Sequence, residues 1–313
     1  MYYIGVDLGG TNMAVGLVNE KGEIVHKSSV KTNLPRPAED LLKNMATLII
    51  KVVEDSGVSM DQVKSIGIGS PGSCDFKNGV LVYSNNMGYK NVSFKNEIQK
   101  YIDKPVFLEN DANVAAFAEY IKAGKPMECF VAVTLGTGVG GGVIINGKIF
   151  SSFNGAGAEL GHTVTVMDGE PCKCGRKGCW EAYASATGLI RQTKAEMEKS
   201  KDSIMWEICG GDISKVGGRV AFDAAKKGDE AGRRVVENYI RYVAEGITNM
   251  INIFQPEQLV IGGGVCGEGD YLLSPIIDYV AKHQYVKTLK TTEISIAKLG
   301  NDAGIIGAAM LGF

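Results

Sequence analysis

The feature that most constrains the fold is an internal repeat. Tyr3-Ile4-Gly5-Val6 runs into Asp7-Leu8-Gly9-Gly10-Thr11-Asn12 and then into alternating apolar residues as far as Val18. Val131-Ala132-Val133 likewise runs into Thr134-Leu135-Gly136-Thr137-Gly138 and then Gly142-Val143-Ile144-Ile145-Asn146. Leu8 falls on Leu135, Gly9 on Gly136 and Asn19 on Asn146, a constant offset of 127 residues. A unit of strand, glycine turn and strand therefore occurs twice. Solenoid repeats recur every ~20–50 residues. Two copies at so much longer a period predict two related domains facing each other.

Between and beyond the copies, helical and strand patterns alternate. Leu41, Leu42, Met45, Leu48, Ile49, Val52 and Val53 follow a helical period between Ala38 and Asp55. Strands are expected at Val63 to Gly69, Pro105 to Leu108, Gln258 to Ile261 and Glu293 to Leu299. Helices are expected after Glu109-Asn110-Asp111-Ala112-Asn113 as far as Lys122, from Asp229 to Phe254, from Tyr271 to Gln284 and, rich in small residues, from Ala303 to Gly312. Hairpins joined to crossover helices mean a mixed α/β sheet. The domain boundary is placed near residue 115.

Composition removes several classes of function. With 33 Lys+Arg against 35 Asp+Glu, the formal net charge is −2, which provides no electrostatic footprint for nucleic acid or an anionic membrane. No apolar run approaches the ~18 residues of a membrane span. Met1 to Asp7 carries no basic leader and reads at once as a strand, so no DNA-binding head is expected before it. Seven cysteines without a leader argue against a disulfide scaffold and for a cytoplasmic location. The 41 glycines, about 13% against a usual ~7%, cluster in loops after apolar runs.

Three of those loops can expose backbone N–H groups to phosphate oxygens: Gly9-Gly10, Gly136 to Gly142, and Gly262-Gly263-Gly264. Each could equally be a tight turn. Gly142 to Ile149 has the spacing of a P-loop, but Ile149 stands where a magnesium-binding hydroxyl belongs, and the stretch reads as a hairpin. Gly136-x-Gly138-x-x-Gly141 leads into another strand rather than a helix. Gly262-x-Gly264-x-x-Gly267 does follow a strand, and it is the main support for a nicotinamide-type alternative. Asp7, at a strand end beside a phosphate loop, suits a water-mediated magnesium ligand or a turn-stabilising Asp.

Glu109-Asn110-Asp111-Ala112-Asn113 ends a strand and opens a helix. Such residues either cap the helix or hold a general base at the C-terminal edge of a sheet, where α/β proteins bind ligands. Further on, Cys172-x-Cys174-x4-Cys179 follows His162, one of only three histidines. Three thiolates and an imidazole complete a tetrahedral, structural zinc site. Zinc there pins Glu159 and Glu181, which flank the ligands in sequence, and fixed carboxylates suit the hydroxyls of a polyol. The loops at Asp7 and Thr134, far off in sequence, are expected to be less affected by loss of that metal.

Taken together, Asp7 to Asn12, Glu109 to Asn113, Glu159-Leu160-Gly161-His162 and Cys172-Lys-Cys-Gly-Arg-Lys-Gly-Cys179-Trp-Glu181 resemble the ROK family of sugar kinases and repressors over the whole chain. Gly69-Ser-Pro71-Gly72 and Asn86-Met-Gly88-Tyr89 resemble the sugar-side loops of its bacterial glucokinase group, with Tyr89 where Trp is common. The resemblance implies the actin-like ATPase (ribonuclease H-like) fold with an interdomain cleft. Residues 1–115 with 302–313 would form a smaller domain, and 116–301 a larger one carrying the zinc loop. It implies transfer of the γ-phosphate of ATP, with Mg2+, to the 6-hydroxyl of glucose. Asp111 would be the base, with Asn86, Asn110, Asp111, Glu159, His162 and Glu181 around the sugar. Asp7, Gly9, Gly10, Thr11, Asn12, Thr134, Gly136, Thr137, Gly138, Gly262, Gly263 and Gly264 would serve the nucleotide. His162, Cys172, Cys174 and Cys179 would hold zinc, and the protein would be a homodimer or homotetramer. The alternatives are a ROK kinase for fructose, mannose or N-acetylmannosamine, or a sugar-binding regulator.

Overall fold

A computed structural model describes all 313 residues, Met1–Phe313. The chain divides into two compact units, one of Met1–Glu128, Gly142–Ala158 and Lys298–Phe313, the other of Cys129–Gly141 and Glu159–Ala297. No helix is long and apolar enough to cross a membrane.

The first unit opens with β1 (Tyr2–Leu8), β2 (Asn12–Asn19), β3 (Ile24–Lys31), α1 (Ala38–Asp55) and β4 (Val63–Ser70). It continues with β5 (Ser73–Asp75), β6 (Val80–Ser84), β7 (Tyr89–Ser93), α2 (Phe94–Gln99), β8 (Val106–Asn110) and α3 (Asp111–Ala123). Its main sheet runs β3-β2-β1-β4-β8. The first three strands form an antiparallel meander, and β4 and β8 extend it parallel to β1. The helical row read from α1 is buried throughout, from Leu41 to Val53, and lies on β2 and β3. Glu39 and Asp40 sit in its first turn, where the helix dipole favours them. A small antiparallel sheet, β5-β6-β7, was not legible from periodicity, because its strands are too short to alternate visibly.

Next come β9 (Cys129–Leu135), β10 (Val139–Ile145), β11 (Lys148–Ile149), α4 (Trp180–Ala184), α5 (Ala186–Lys199), α6 (Met205–Ile208) and α7 (Val220–Lys226). After them follow α8 (Glu230–Phe254), β12 (Gln258–Gly262), α9 (Asp270–His283) and β13 (Glu293–Ile296), and α10 (Ala303–Ala309) ends the chain's regular structure. The second sheet runs β11-β10-β9-β12-β13, with β12 parallel to both β9 and β13. This is the first sheet's order repeated strand for strand. The offset of 127 is thus the visible remnant of a duplicated topology. The stretch with P-loop spacing is the β10–β11 hairpin. Its turn residues Asn146 and Gly147 have φ of 51° and 74°, as a two-residue turn of the right twist requires.

α10 belongs to the first unit because backbone meets backbone there. A Cβ on Gly5 of β1 would stand 1.9 Å from the Ile305 carbonyl oxygen, and one on Gly67 of β4 1.8 Å from that of Ala308. From the other side, a Cβ on Gly307 would stand 1.7 Å from the Val114 oxygen of α3. Buried Glu119 of α3 accepts hydrogen bonds from Lys298 N (3.0 Å) and Leu299 N (2.7 Å), fixing the chain where it returns. A division at residue 115 would cut through α3. The helix instead stays whole, because Ala118 shares a buried cluster with Ala303, Ile305, Ile306 and Ala309.

Replacing Gly67 by Ala should therefore lower stability by about 1–3 kcal/mol or more, since no rotamer relieves a clash with backbone. Gly217→Ala, where an added Cβ meets nothing within 4 Å, should stay within about 0.5 kcal/mol of wild type. Urea titration of both variants checks this; equal midpoints would contradict the packing.

Candidate functional site

The parallel run β1-β4-β8 brings three strand ends to one edge. Asp7 pairs in register with Gly69, Gly69 with Glu109, and Ser70 with Asn110. Asn110 is the cap of α3: its Oδ1 accepts from Ala112 N (2.9 Å) and Asn113 N (3.3 Å). Capping therefore falls to Asn110 and not to Asp111. Asp111 is the first residue of the helix, and its Oδ1 accepts from Ala112 N at 2.9 Å. Asn110 Nδ2 donates to the Gly72 carbonyl at 3.2 Å, tying the Gly69 to Gly72 loop to this turn.

Burial pushes the Asp111 carboxyl above the ordinary carboxylate range. Asp7 is pushed up to about 6, by burial first and by the charge of Asp111 second. Gly304 packs so closely on Asp7 that a Cβ there would lie 2.6 Å from its Cγ. The Gly9–Asn12 turn closes without Asp7, through Gly9 N donating to Asn12 O at 2.9 Å and Thr32 Oγ1 to Gly9 O at 2.7 Å. Two raised carboxyls at a sheet edge, beside an open glycine turn, are placed to meet a proton and a cation. Gly10, Thr11 and Asn12 are exposed there.

In the second unit, Thr134 pairs with Gly262 at the ends of parallel β9 and β12, so two glycine loops lie side by side. Gly136 and Gly264 face open space, as a phosphate cradle needs. Gly138 and Gly263 are glycine for internal reasons. A Cβ on Gly138 would meet Glu181 Oε2 at 2.3 Å, and one on Gly263, at φ +99°, the Leu135 oxygen at 2.2 Å. After Gly264 the chain enters a short 3₁₀ turn, and α9 begins only at Asp270. The glycines thus do not open the helix, as a dinucleotide fingerprint requires.

His162, in a 3₁₀ turn after exposed Glu159, meets the cysteine loop: one donor atom from each of His162, Cys172, Cys174 and Cys179 lies within 4.8 Å of the others. Cys172 Sγ is 3.7 Å from His162 Nδ1, and Cys174 Sγ is 3.6 Å from Cys179 Sγ. Those separations match the edge of a tetrahedron with metal–sulfur bonds of about 2.3 Å, close to 3.8 Å. Burial pushes the Cys172 thiol up to about 12 and raises Cys179, whereas a backbone hydrogen bond from Arg176 lowers Cys174.

Glu181, in the first turn of α4, corrects one expectation. Its Oε1 is 3.5 Å from Cys172 Sγ, while its Oε2 accepts from Val139 N at 3.1 Å. Ala186 N and Thr187 Oγ1 add hydrogen bonds to the carbonyls of Gly136 (2.8 Å) and Thr137 (2.7 Å). The cysteine loop and the Thr134–Gly138 loop are therefore braced against each other despite their distance in sequence. Asn86 lies exposed in the β6–β7 turn. No sequence pattern points to a separate role for Glu109 or Ser151. The one available signal was an acidic residue closing a strand that is otherwise apolar.

Twin sheets of one strand order, with carboxyls at strand ends and glycine turns at the corresponding edge, define the actin-like ATPase class of fold. Within that class the chain belongs to the ROK family, whose sequence profile matches residues 3–312. It is 38% identical over 310 residues to a glucokinase of Thermotoga maritima, covering 98% of this chain and 96% of that protein. To a glucokinase of Halalkalibacterium halodurans it is 36% identical over 315 residues, covering 99% and 94%. A ROK family glucokinase from Streptomyces griseus, solved in complex with glucose and AMPPNP, superimposes with a TM-score of 0.82 at 32% identity over 99% of both chains.

The Asp7–Asp111 pair makes a titration prediction. Asp111→Asn removes a negative neighbour, so Asp7 should titrate below about 6, though burial still holds it above its ordinary 3.8. Carbon-detected carboxyl NMR reads the shift; an unchanged Asp7 value would mean that the two groups do not sense each other.

Proposed function

We propose that this chain is an ATP-dependent hexokinase acting on glucose, transferring the γ-phosphate of ATP to the sugar 6-hydroxyl to give glucose 6-phosphate and ADP. The observation that carries the reading is Asp111: a buried, raised carboxyl released from capping by Asn110, at the strand edge beside Asp7 and the open Gly10 turn. Full-length likeness to glucokinases adds the substrate class.

Asp111 would accept the hydroxyl proton as the oxygen attacks phosphorus. A carboxyl raised by burial is the better acceptor near neutral pH. Phosphoryl transfer needs alignment and charge stabilisation more than covalent help. Asn86, Asn110, Glu159, His162 and Glu181 are assigned to the sugar hydroxyls by family resemblance. Gly9 to Asn12, Thr134 to Gly138 and Gly262 to Gly264 are assigned to the nucleotide. Magnesium arrives with ATP and supplies charge at the phosphates; Asp7 would orient it. Zinc suits the His162, Cys172, Cys174 and Cys179 donor set, and four protein ligands leave no position for a catalytic water, so its part is structural. His162 would meet the metal through Nδ1, leaving Nε2 for the sugar. Thiolate ligands also fit a reducing, cytoplasmic setting.

A panel of hexoses with MgATP in a coupled ADP assay tests the reading. Glucose should have the highest kcat/KM; preference for fructose, mannose or N-acetylmannosamine would reassign the substrate, and no turnover with any hexose would overturn the kinase reading. Asp111→Asn should cut kcat by ~10²-fold or more while glucose still binds by calorimetry. Near-full kcat would remove Asp111 from the chemistry. Because the Asp111 carboxyl is raised, wild-type kcat/KM should fall with acid already above the usual carboxylate range.

Cys174→Ser should lower zinc content from one ion per chain, read by elemental analysis. Through Glu181 and Val139 it should raise the KM for ATP as well as for glucose. Fully active protein without zinc would sink the assignment.

A further inference from the structure

Glu109 is a carboxylate with 4% exposure at the end of β8, and its three hydrogen-bond partners are all uncharged. Oε1 accepts from the Asn110 backbone N at 2.8 Å and from Asn113 Nδ2 at 3.0 Å. Oε2 accepts from Ser151 Oγ at 2.7 Å. Burying a carboxylate with no cation beside it is costly, and hydrogen bonds to the charged form must offset that cost. An apolar residue would close β8 more cheaply, so what the carboxylate holds together needs a reason.

Two of the donors belong to the turn that carries Asp111. Asn110 precedes Asp111 and caps its helix, and Asn113 lies one position beyond Ala112 on the same first turn. The third belongs to residues 150–158, the strap that follows β11 and runs on in sequence to Glu159. Gly157 N donates to Ser151 O at 3.1 Å and closes the strap on itself. Gly155, at φ +75°, sits so close to β5 that a Cβ would lie 2.1 Å from the Cys74 oxygen. Ser152 and Ala158 are held at φ of 66° and 61°, a region that residues with a Cβ adopt only under constraint. Ser151 is 5% exposed while Phe153, at the tip, is 92% exposed. The strap is therefore anchored at its base and free at its tip, and Ser151 to Glu109 is its side-chain link to the Asn110–Asp111 turn.

We infer that Glu109 is a positioning residue that clamps the Asn110–Asp111 turn to the strap 150–158, so that the strap's seating sets the orientation of Asp111. The inference rests on the proposed role of Asp111, but its physical content, a shared carboxylate between turn and strap, does not need the substrate to be glucose. A small error in the aim of a reacting group can lower turnover far more than it lowers binding.

Ser151→Ala removes the strap's bond and leaves Glu109 and both turn contacts in place. It should fold with a Tm close to wild type, lower kcat with glucose and MgATP by about tenfold, and leave both KM values nearly unchanged. Glu109→Gln, which keeps an acceptor for the turn and an amide that Ser151 can accept from, should retain more kcat than Glu109→Ala. Hydrogen exchange across residues 106–118 should quicken in Ser151→Ala under native conditions. Turnover that falls only in proportion to lost Tm, or unchanged kcat together with unchanged exchange, would overturn the clamp. Absence of wild-type turnover with every hexose would bring down the kinase reading alone, and the exchange measurement would still decide the clamp.

Discussion

Backbone-to-backbone packing of α10 on β1, β4 and α3 is the contact on which the first unit's site depends. Gly5 and Gly67 let the helix settle directly on the sheet, and Gly307 does the same for α3. Gly304 then lies against the Asp7 carboxylate. The last turns of the chain thus hold both the strands that end in the site and one of the two acids. Close packing leaves such a contact no slack, because interiors are as dense as organic crystals and a single added methyl is felt. Proximity of the termini in space, rather than in sequence, is what turns a sheet edge into a rigid place for Asp7 and Asp111.

Polar satisfaction does in the site what backbone packing does beneath it. Asn110 takes the capping duty, and burial raises the Asp111 carboxyl despite the hydrogen bonds it accepts. Glu109 gathers the same turn and the strap at Ser151. In the second unit Glu181 touches both a cysteine ligand and the amide at the end of the glycine turn. In the last two cases a carboxylate joins two segments far apart in sequence, and removing one partner would leave a polar group unpaired, which is costlier than never forming the bond. The Cys/His cluster and the Thr134–Gly138 loop are therefore one mechanical element.

Much was legible beforehand. The repeat named two units because a strand, a glycine turn and a strand must recur together to keep one topology. α1 was legible to the residue because seven apolar positions at helical spacing leave no other way to bury them, and α8 nearly so. Cys172, Cys174, Cys179 and His162 were legible as a cluster because three thiols within eight positions cannot lie far apart. Less legible was the boundary, since α3 continues through residue 115 and its partner α10 lies almost two hundred residues on. The short β5–β7 sheet was not legible at all.

By itself, then, the sequence determined the local elements, the doubled topology, the family and the members of the Cys/His cluster, all of which depend on spacing along the chain. Tertiary structure alone decided which residue does which work. It separated the cap, Asn110, from Asp111 and raised Asp7 through burial and, secondarily, the charge of Asp111. It assigned Gly138 and Gly263 to packing, Gly136 and Gly264 to open space, and joined Glu181 to Val139. The physical reason is that burial, hydrogen-bond partnership and electrostatic coupling act through distances in space, and residues such as Glu109 and Ser151, 42 positions apart, meet only when the chain is folded.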